Sequence, residues 1–226
     1  MIEGLRSRPA LAKRRNRRES LVSIRLYVEG GGDHNKALQT ECRRGFSEFI
    51  KKAGLEGRMP RVVACGGRRQ AYDRFKTALE VAETGNVPLL LVDSEESVTE
   101  RSPWDQVRLR AGDQWERPPT ATDDQIHFMV QTMEAWFHAD KDALRKYFGG
   151  EFQVAALAQR AEIENIPKAS LLSGLRAATQ NSQKGEYTKG EHSFRILALI
   201  DPMKVRDASP AHAGRFLSTL QGMCRR

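Results

Sequence analysis

The chain has 226 residues, of which 39% are hydrophobic, and a formal net charge of +8 at pH 7. This length can bury a substantial core in one domain, and the wide spacing of its three cysteines excludes a C-x-x-C metal motif and a disulfide framework. Its longest apolar run, Val87 to Val92, is too short for a membrane span and the N-terminus lacks the apolar core of a signal peptide, so we expect a cytoplasmic protein.

A basic leader precedes the first predicted element. Residues 1–20 carry seven Lys/Arg against two Glu and so supply +5 of the net charge. The rest of the chain is therefore only weakly basic. We expect a disordered tail, which is either an arm that binds nucleic acid with salt-dependent affinity or a leader that precedes the true start of translation.

Strands and helices alternate along the next 130 residues. Hydrophobic periodicity and glycine or proline breaks predict four strands, over residues 22–28, 61–65, 88–92 and 126–130. They predict helices over residues 35–53, 70–82 and 133–148, and an irregular insertion over residues 94–124 with a short helix after Ser102. Such alternation is typical of an α/β fold with a parallel sheet and right-handed crossovers. We expect an α/β core over residues 21–150 and a helical C-terminal region, residues 151–226, packed on it.

Acidic residues follow two of the predicted strands. Glu29 and Asp33 come after the first strand, and Asp93, Glu95 and Glu96 come after the third. Loops that follow parallel strands gather at one edge of the sheet, where open α/β folds bind ligands, and neighbouring strands lie only about 4.8 Å apart. Gathered carboxylates repel one another, and a hard divalent cation or protonation relieves that repulsion. In the alternative interpretation, these strand-end acids merely cap helices.

Glycines and arginines accompany the two acidic loops. Gly30, Gly31 and Gly32 permit backbone turns and let a ligand approach the main chain, but their spacing is neither a dinucleotide fingerprint nor a Walker A motif. Arg68 and Arg69 follow two glycines and directly precede the predicted helix over residues 70–82. They either bind phosphate at the N-terminus of that helix or form a solvated first turn.

Two later segments are expected to reach the same edge. Glu134, at the start of the helix after the fourth strand, either points into the pocket or only favours the helix dipole. A polar loop carries Tyr187, Lys189 and His192, and we expect Lys189 to complete the active site with help from the other two. A compact ammonium can offset charge on a phosphate in the transition state. Alternatively, this segment is a solvent-exposed loop.

A family resemblance rests on these motifs. Glu29-Gly30 after the first strand and Asp93-x-Glu95 after a later one resemble the TOPRIM superfamily of topoisomerases, primases and OLD-type nucleases, in which a glutamate and an Asp-x-Asp set bind magnesium. Glu95 departs from that pattern, since the family has an aspartate there. From about Val22 to Leu220 the chain resembles a bacterial family of unknown function grouped with TOPRIM-like proteins, through the segments VEGGGDHNKAL, RVVACGGRRQAYDRF, LLLVDSE, MVQTMEAWFHAD, IPKA and KGEYTKGEHSF.

The resemblance to OLD-type and RloB-like systems implies Mg²⁺- or Mn²⁺-dependent hydrolysis of phosphodiester bonds in nucleic acid, in phage defence beside an ATPase partner. It implies that Asp93 and Glu95 hold the metal, that Glu29 contacts the metal or moves a proton, and that Asp33 supports them. OLD-type nucleases also place a lysine opposite their acids, which is the role expected of Lys189. The rival hypothesis is a non-catalytic module of the same fold that binds a partner protein or a nucleotide, and a third is phosphate chemistry on small molecules.

Overall fold

A parallel sheet forms the centre of the protein, whose computed structural model describes residues 23–57, 59–82 and 85–224. The four strands of this sheet are β1 (Ser23–Val28), β2 (Arg61–Ala64), β3 (Asn86–Asp93) and β4 (Ile126–Met129). They are all parallel and lie in the order β2-β1-β3-β4. The predicted α/β class with a four-stranded parallel sheet is confirmed. The basic leader, residues 1–20, lies outside the described residues.

Helices connect the strands and then form the C-terminal region. The first five α-helices in the described part of the chain are α1 (Lys36–Ile50), α2 (Arg68–Glu80), α3 (Pro103–Leu109), α4 (Met133–Ala139) and α5 (Lys141–Phe148). The C-terminal region adds α6 (Lys168–Thr179), α7 (Lys189–Leu197), α8 (Pro202–Ala208) and α9 (Arg215–Cys224). A helical C-terminal region is therefore confirmed, while its predicted boundary at residue 150 stays a prediction.

Both faces of the sheet are covered, because side chains along each strand alternate between two apolar clusters. The cluster on the α1 side contains Leu26, Val28, Leu89, Leu91 and Phe46. The cluster on the α2 side contains Tyr27, Leu90, Val92, Tyr72 and Phe75. This alternation explains why the strands read as short continuous apolar runs, as expected when both faces of a parallel sheet are buried.

The strand order reverses direction between β1 and β3. The chain passes from β1 through α1 to the outer strand β2, and then crosses through α2 to β3 on the other side of β1. Since α1, which follows β1, and α3, which follows β3, pack on opposite faces of the sheet, the loops after β1 and β3 diverge and leave a crevice between the two strand ends. In open α/β sheets this topological switch point is where ligands bind.

The predicted single helix over residues 133–148 is wrong, because Asp140 divides it into α4 and α5. Asp140 has non-helical backbone angles, and its carboxylate accepts a hydrogen bond from the backbone N–H of Ala143 at 3.3 Å as the N-cap of α5. The same carboxylate accepts from Asp201 N at 2.9 Å and pairs with Lys204 Nζ at 2.7 Å. These distant partners fix a break that local periodicity does not reveal.

The C-terminal helices share the core of the sheet. Trp136 of α4 stacks on Phe49 of α1 at a centroid distance of 5.0 Å and lies 6.2 Å from Phe216 of α9. The Trp136 side chain is fully buried and belongs to this core. Among the described ranges, none of the helices combines the length and apolar character needed to cross a bilayer.

Candidate metal centre

Three carboxylates meet at the crevice between β1 and β3. Glu29 follows β1, Asp93 is the last residue of β3, and Glu95 lies two positions further along. Each offers one oxygen, and these three oxygens lie within 4.8 Å of one another. They converge because β1 and β3 are hydrogen-bonded neighbours that end at the same edge, and the backbone N–H of Glu29 donates to Leu91 O at 3.2 Å. The structure thus brings together the acids of the two loops.

Asp93 is the central and most buried of the three acids. One carboxylate oxygen, Oδ1, accepts a hydrogen bond from the backbone N–H of Met133 at 2.8 Å, which ties β3 to the start of α4. Its own backbone N–H donates to Glu29 Oε2 at 3.3 Å. Burial raises the pKa of Asp93 well above its ordinary value, and repulsion from Glu29 and Glu134 adds to this shift.

Arg68 is an internal cation of the site. Its guanidinium makes two hydrogen bonds of 2.7 Å to the Asp113 carboxylate, donates to Asp93 O, and lies 3.6 Å from Glu29 Oε2. It also stacks over the Trp115 ring, 4.8 Å from the centroid. Of the two interpretations of Arg68, the solvated first turn is wrong, because its side chain is only 13% exposed. Asp113, within the irregular insertion, was not anticipated from the sequence.

The balance between burial and Arg68 sets the protonation of Glu29. Burial raises the pKa of Glu29, the Arg68 guanidinium opposes that shift, and Glu95 adds to it, so that the pKa lies above its ordinary value. A carboxylate whose pKa is raised in this way is more suited to proton transfer near neutral pH than an exposed one.

Glu95 is held by a lysine that the sequence did not reveal. Its backbone has a positive φ of 69°, and its N–H donates to Gln131 O at 2.8 Å. The carboxylate forms an ion pair with Lys168 Nζ, and the backbone N–H of Lys168 donates to the Gln131 side chain at 2.9 Å. The segment IPKA, which contains Lys168, contributed only to the family resemblance. Nothing in that segment indicated that Lys168 reaches the acidic loop.

Glu134 and Lys189 close the other side of the site. Glu134 is fully buried at the start of α4, and its Oε1 accepts a hydrogen bond from Tyr187 Oη at 2.8 Å. Lys189 Nζ lies 3.5 Å from Glu134 Oε2 and 3.9 Å from Asp93 Oδ2. Burial lowers the pKa of Lys189, but attraction to Glu134, Asp93 and Glu95 outweighs it and the pKa is raised. Glu134 therefore faces the crevice, as one of its two interpretations expected.

Tyr187 contacts one of the acidic residues of the site, whereas His192 does not. The buried Tyr187 hydroxyl lies beneath the site, between Glu134 and Ser193 Oγ, which is 3.0 Å away. His192 instead accepts a hydrogen bond at Nδ1 from the backbone N–H of Thr188 at 3.0 Å and so caps α7. Burial lowers the pKa of His192. The structure does not bring His192 to the acids.

Asp33 and Arg69 also lie apart from the three acids. Asp33 is exposed, and its Oδ1 accepts a hydrogen bond from the backbone N–H of Gly67 at 3.0 Å, which joins the loops after β1 and β2. Arg69 pairs on the surface of α2 with Asp73 at 3.1 Å. The supporting role expected of Asp33 and the phosphate binding expected of Arg69 both stay predictions.

The glycine cluster lets the chain turn tightly beside α1 and α7. Gly30 has a φ of +124° and exchanges two backbone hydrogen bonds with Gly66, of 2.7 and 2.9 Å. A Cβ atom at Gly30 would lie 2.9 Å from the Phe194 ring, and one at Gly31 would lie 3.0 Å from the backbone of Gln39. Together with Gly32, whose φ is +63°, these residues let the acidic loop pass under two helices.

An open cavity of about 320 Å³ lies beside the carboxylates. Its lining includes the polar side chains of Glu29, Asp93, Glu134 and Lys189. The same lining includes the apolar side chains of Leu38, Met129, Met133 and Phe194.

The acidic cluster fits a hard divalent cation. All three candidate ligands are carboxylate oxygens, which Mg²⁺ and Mn²⁺ prefer. Oxygens on opposite sides of Mg²⁺ stand roughly 4.2 Å apart, since each bond is about 2.1 Å. Adjacent oxygens on such an ion stand about 3.0 Å apart, so oxygens that lie within 4.8 Å of one another must move closer together to share it. For such an ion to bind Glu95, the ion pair between Glu95 and Lys168 would have to weaken.

Fold and site together define an α/β protein with an acidic cluster at the switch point of a parallel sheet. The chain belongs to the family described as Domain of unknown function (DUF4276), whose family model matches residues 28–221. Comparisons with curated proteins and with solved structures find no match. The matched range includes the three acids and Lys189, so the crevice lies within the domain that defines the family.

Proposed function

We propose that the protein is a divalent-metal-dependent phosphodiesterase of the TOPRIM type that acts on nucleic acid, with Glu29, Asp93 and Glu95 as metal ligands. The observation that supports this proposal most strongly is the convergence of their three oxygens within 4.8 Å at the switch point of the sheet. Lys189 on the opposite side of the crevice supports it further.

The electrostatics favour a cation at this position. Burial and mutual repulsion raise the pKa values of Glu29 and Asp93, so ionising both carboxylates without a further cation is costly. A divalent ion would offset this repulsion and favour the ionised forms.

Bound Mg²⁺ would polarise a phosphoryl oxygen and lower the pKa of a coordinated water. The residues of the chain supply the rest of the chemistry. Arg68 orients Glu29, which is placed to accept or donate a proton. Glu134 holds the Lys189 ammonium across the crevice, where it can offset charge that develops on the phosphate. The same resemblance that suggests nucleic acid as substrate suggests an ATPase partner in phage defence.

A second candidate function is a non-catalytic module that binds a partner protein or a nucleotide. The ion pair of Lys168 with Glu95 favours it, because this lysine neutralises one of the three acids without any metal. The two candidates differ in what the acids do, so metal binding must be measured separately from cleavage.

The test combines Mg²⁺ and Mn²⁺ titration calorimetry, thermal melting and cleavage assays on the wild type, Asp93→Asn and the control Asp142→Asn. Asp142 lies on the surface of α5, with its side chain 79% exposed. We expect the metal to stabilise the wild type and the control by about 2.7 kcal/mol at a hundredfold excess over Kd, and to have no such effect on Asp93→Asn. Without metal, Asp93→Asn should melt at or above the wild-type temperature, because a like charge is removed.

The outcomes separate the two candidates. Metal binding with cleavage that Asp93→Asn abolishes supports the phosphodiesterase. Metal binding without cleavage of any DNA or RNA supports the binding module. A wild type that gains no stability from either ion contradicts the metal site itself.

A further inference from the structure

The lining of the cavity beside the acids combines polar and apolar side chains. Glu29, Asp93 and Lys189 belong to this lining, and the proposed function places the phosphate and its metal beside them. Leu38 of α1, Phe194 of α7 and two methionines, Met129 and Met133, add apolar surface to the same cavity. A phosphate needs none of this apolar surface, so the apolar part of the lining fits the group attached to the phosphate.

A buried oxygen in this cavity lacks a hydrogen bond. Glu134 is fully buried, and within the described residues its Oε2 accepts no hydrogen bond, although Lys189 Nζ lies 3.5 Å away. The ion pair with Lys189 offsets part of the cost of burying this oxygen, and a ligand that supplies an N–H donor would satisfy its remaining capacity to accept a hydrogen bond. Exocyclic amino groups and ring N–H groups on the edges of nucleobases are such donors.

From these features we propose that the cavity takes one unstacked nucleobase attached to the scissile phosphodiester. The substrate class is then single-stranded or locally unpaired nucleic acid, and continuous duplex is excluded from cleavage. This inference rests on the proposed phosphodiesterase function, since that function places the phosphate at the acids.

The size of the cavity suits a small ligand, of which a single base is one. Its volume of about 320 Å³ lies at the lower end of the usual range for small-molecule pockets, roughly 300–1,000 Å³. Bases in a duplex are stacked on both faces and offer only their edges in the grooves, so a base must leave the stack to enter a pocket between helices. A single strand meets this condition at much lower cost.

The experiment uses oligonucleotides that carry one 2-aminopurine, whose fluorescence rises when the base is unstacked. DNA and RNA versions are each prepared as a single strand and as a duplex, and are titrated with the full chain in the presence of Ca²⁺ or Mg²⁺. Leu38→Trp fills the cavity. Leu38→Gln keeps nearly the same side-chain volume but places a polar amide group in the apolar part of the lining. The matched control is Leu109→Trp, at the end of α3, where the leucine is 58% exposed and does not line the cavity.

We expect the wild type and Leu109→Trp to bind single strands with a fluorescence change and to leave the duplex unaffected. Both Leu38 variants should bind single strands on the order of tenfold more weakly, because each loses apolar contact with the bound base. Their metal-induced stabilisation should equal that of the wild type, which shows that the fold and the acids are intact. The affinities measured for the DNA and the RNA single strands show which of the two is preferred.

Equal binding of single strand and duplex, or Leu38 variants that bind like the control, would overturn the base pocket. A different result would contradict the proposed phosphodiesterase function alone. If no strand is cleaved with Mg²⁺ while the fluorescence change and its loss in the Leu38 variants remain, the pocket stands and the phosphodiesterase is wrong.

Discussion

Charge balance at a few residues determines what the crevice can do. Four carboxylates, Glu29, Asp93, Glu95 and Glu134, face the three cations Arg68, Lys168 and Lys189. Arg68 is locked by its two hydrogen bonds to Asp113, and Lys168 is engaged by Glu95. Lys189, with its side chain 52% exposed, is therefore the cation best placed to meet an incoming phosphate.

Replacing Lys189 by alanine tests this role. We expect Lys189→Ala to lower the single-turnover cleavage rate on the order of a hundredfold, as for the loss of one electrostatic donor in the transition state. Mg²⁺ affinity should hold or improve, because a cation near the metal ligands is removed. The control is Lys184→Ala, on the same polar loop, where the ammonium lies over the Tyr147 ring at 5.0 Å. Unchanged cleavage in Lys189→Ala, or a loss explained wholly by unfolding, removes Lys189 from the mechanism.

The sequence predicted those site residues whose position follows from local pattern. Glu29 and Asp93 end apolar strands, and parallel strands end at one edge, so their meeting follows from topology. Lys168 and Asp113 were not predictable in this way, since Lys168 lies 73 residues from Glu95 and Asp113 lies 45 residues from Arg68. Their contacts depend on how the irregular insertion and α6 fold back over the sheet, which neither periodicity nor spacing encodes.

The contact between α1 and α7 positions one wall of the cavity and the lysine at once. Gly45 of α1 makes this contact possible, because a Cβ atom there would lie 2.6 Å from Phe194 O and 3.1 Å from Phe194 Cβ. The helices therefore approach each other closely at the residue that lines the cavity. Lys189 begins the same helix, so a shift of α7 displaces the lysine as well.

Gly45→Ala should push the two helices apart. We expect the free energy of unfolding to fall by about 1–2 kcal/mol, because overpacking against a backbone oxygen outweighs the roughly 1 kcal/mol gained from the higher helix propensity of alanine. The control, Gly222→Ala in α9, has no atom within 4 Å of the added Cβ and should leave stability unchanged or raise it by up to about 1 kcal/mol. Denaturant unfolding of both variants decides the matter. A Gly45→Ala protein as stable as the control would show that α7 can shift freely.

At the level of elements, the strands were predicted more closely than the long helix. Each strand is an apolar run bounded by glycine or polar residues, and its covered faces make that run continuous. The break at Asp140 was missed because apolar periodicity continues through it. What divides α4 from α5 is a carboxylate that caps one helix while it binds Lys204 of α8.

The stability of the whole molecule should depend on pH through buried histidines. His127 of β4 is 1% exposed, with Nε2 3.0 Å from Asp124 O, and burial, helped by the nearby Arg215, lowers its pKa to about 3. His138 of α4 is 3% exposed, and burial lowers its pKa to about 4. In both cases folding requires the neutral ring, whereas the unfolded chain takes up a proton near pH 6.5. Their contribution to stability is therefore present above about pH 6.5 and is lost as the pH falls toward 3–4.

The acids of the crevice act in the opposite direction. The pKa values of Glu29 and Asp93 are raised, so the folded protein binds more protons than the unfolded chain and gains stability from these groups as the pH falls. The total pH profile is thus a sum of opposing contributions. Only a comparison of matched variants isolates the part that belongs to one histidine.

His127→Gln isolates this part, because glutamine can still donate to Asp124 O but does not titrate. We expect the free energy of unfolding of the wild type to fall by about 2 kcal/mol more than that of His127→Gln between pH 7 and pH 5, since the unfolded chain gains a proton over this interval and the folded ring does not. The control is His34→Gln, the same substitution at an exposed position, which should retain the wild-type profile. Urea unfolding at several pH values measures the three profiles. If His127→Gln loses as much stability on acidification as the wild type, the ring of His127 takes up a proton in the folded protein as readily as in the unfolded chain. That result would contradict the burial of this ring beside Phe216 of α9.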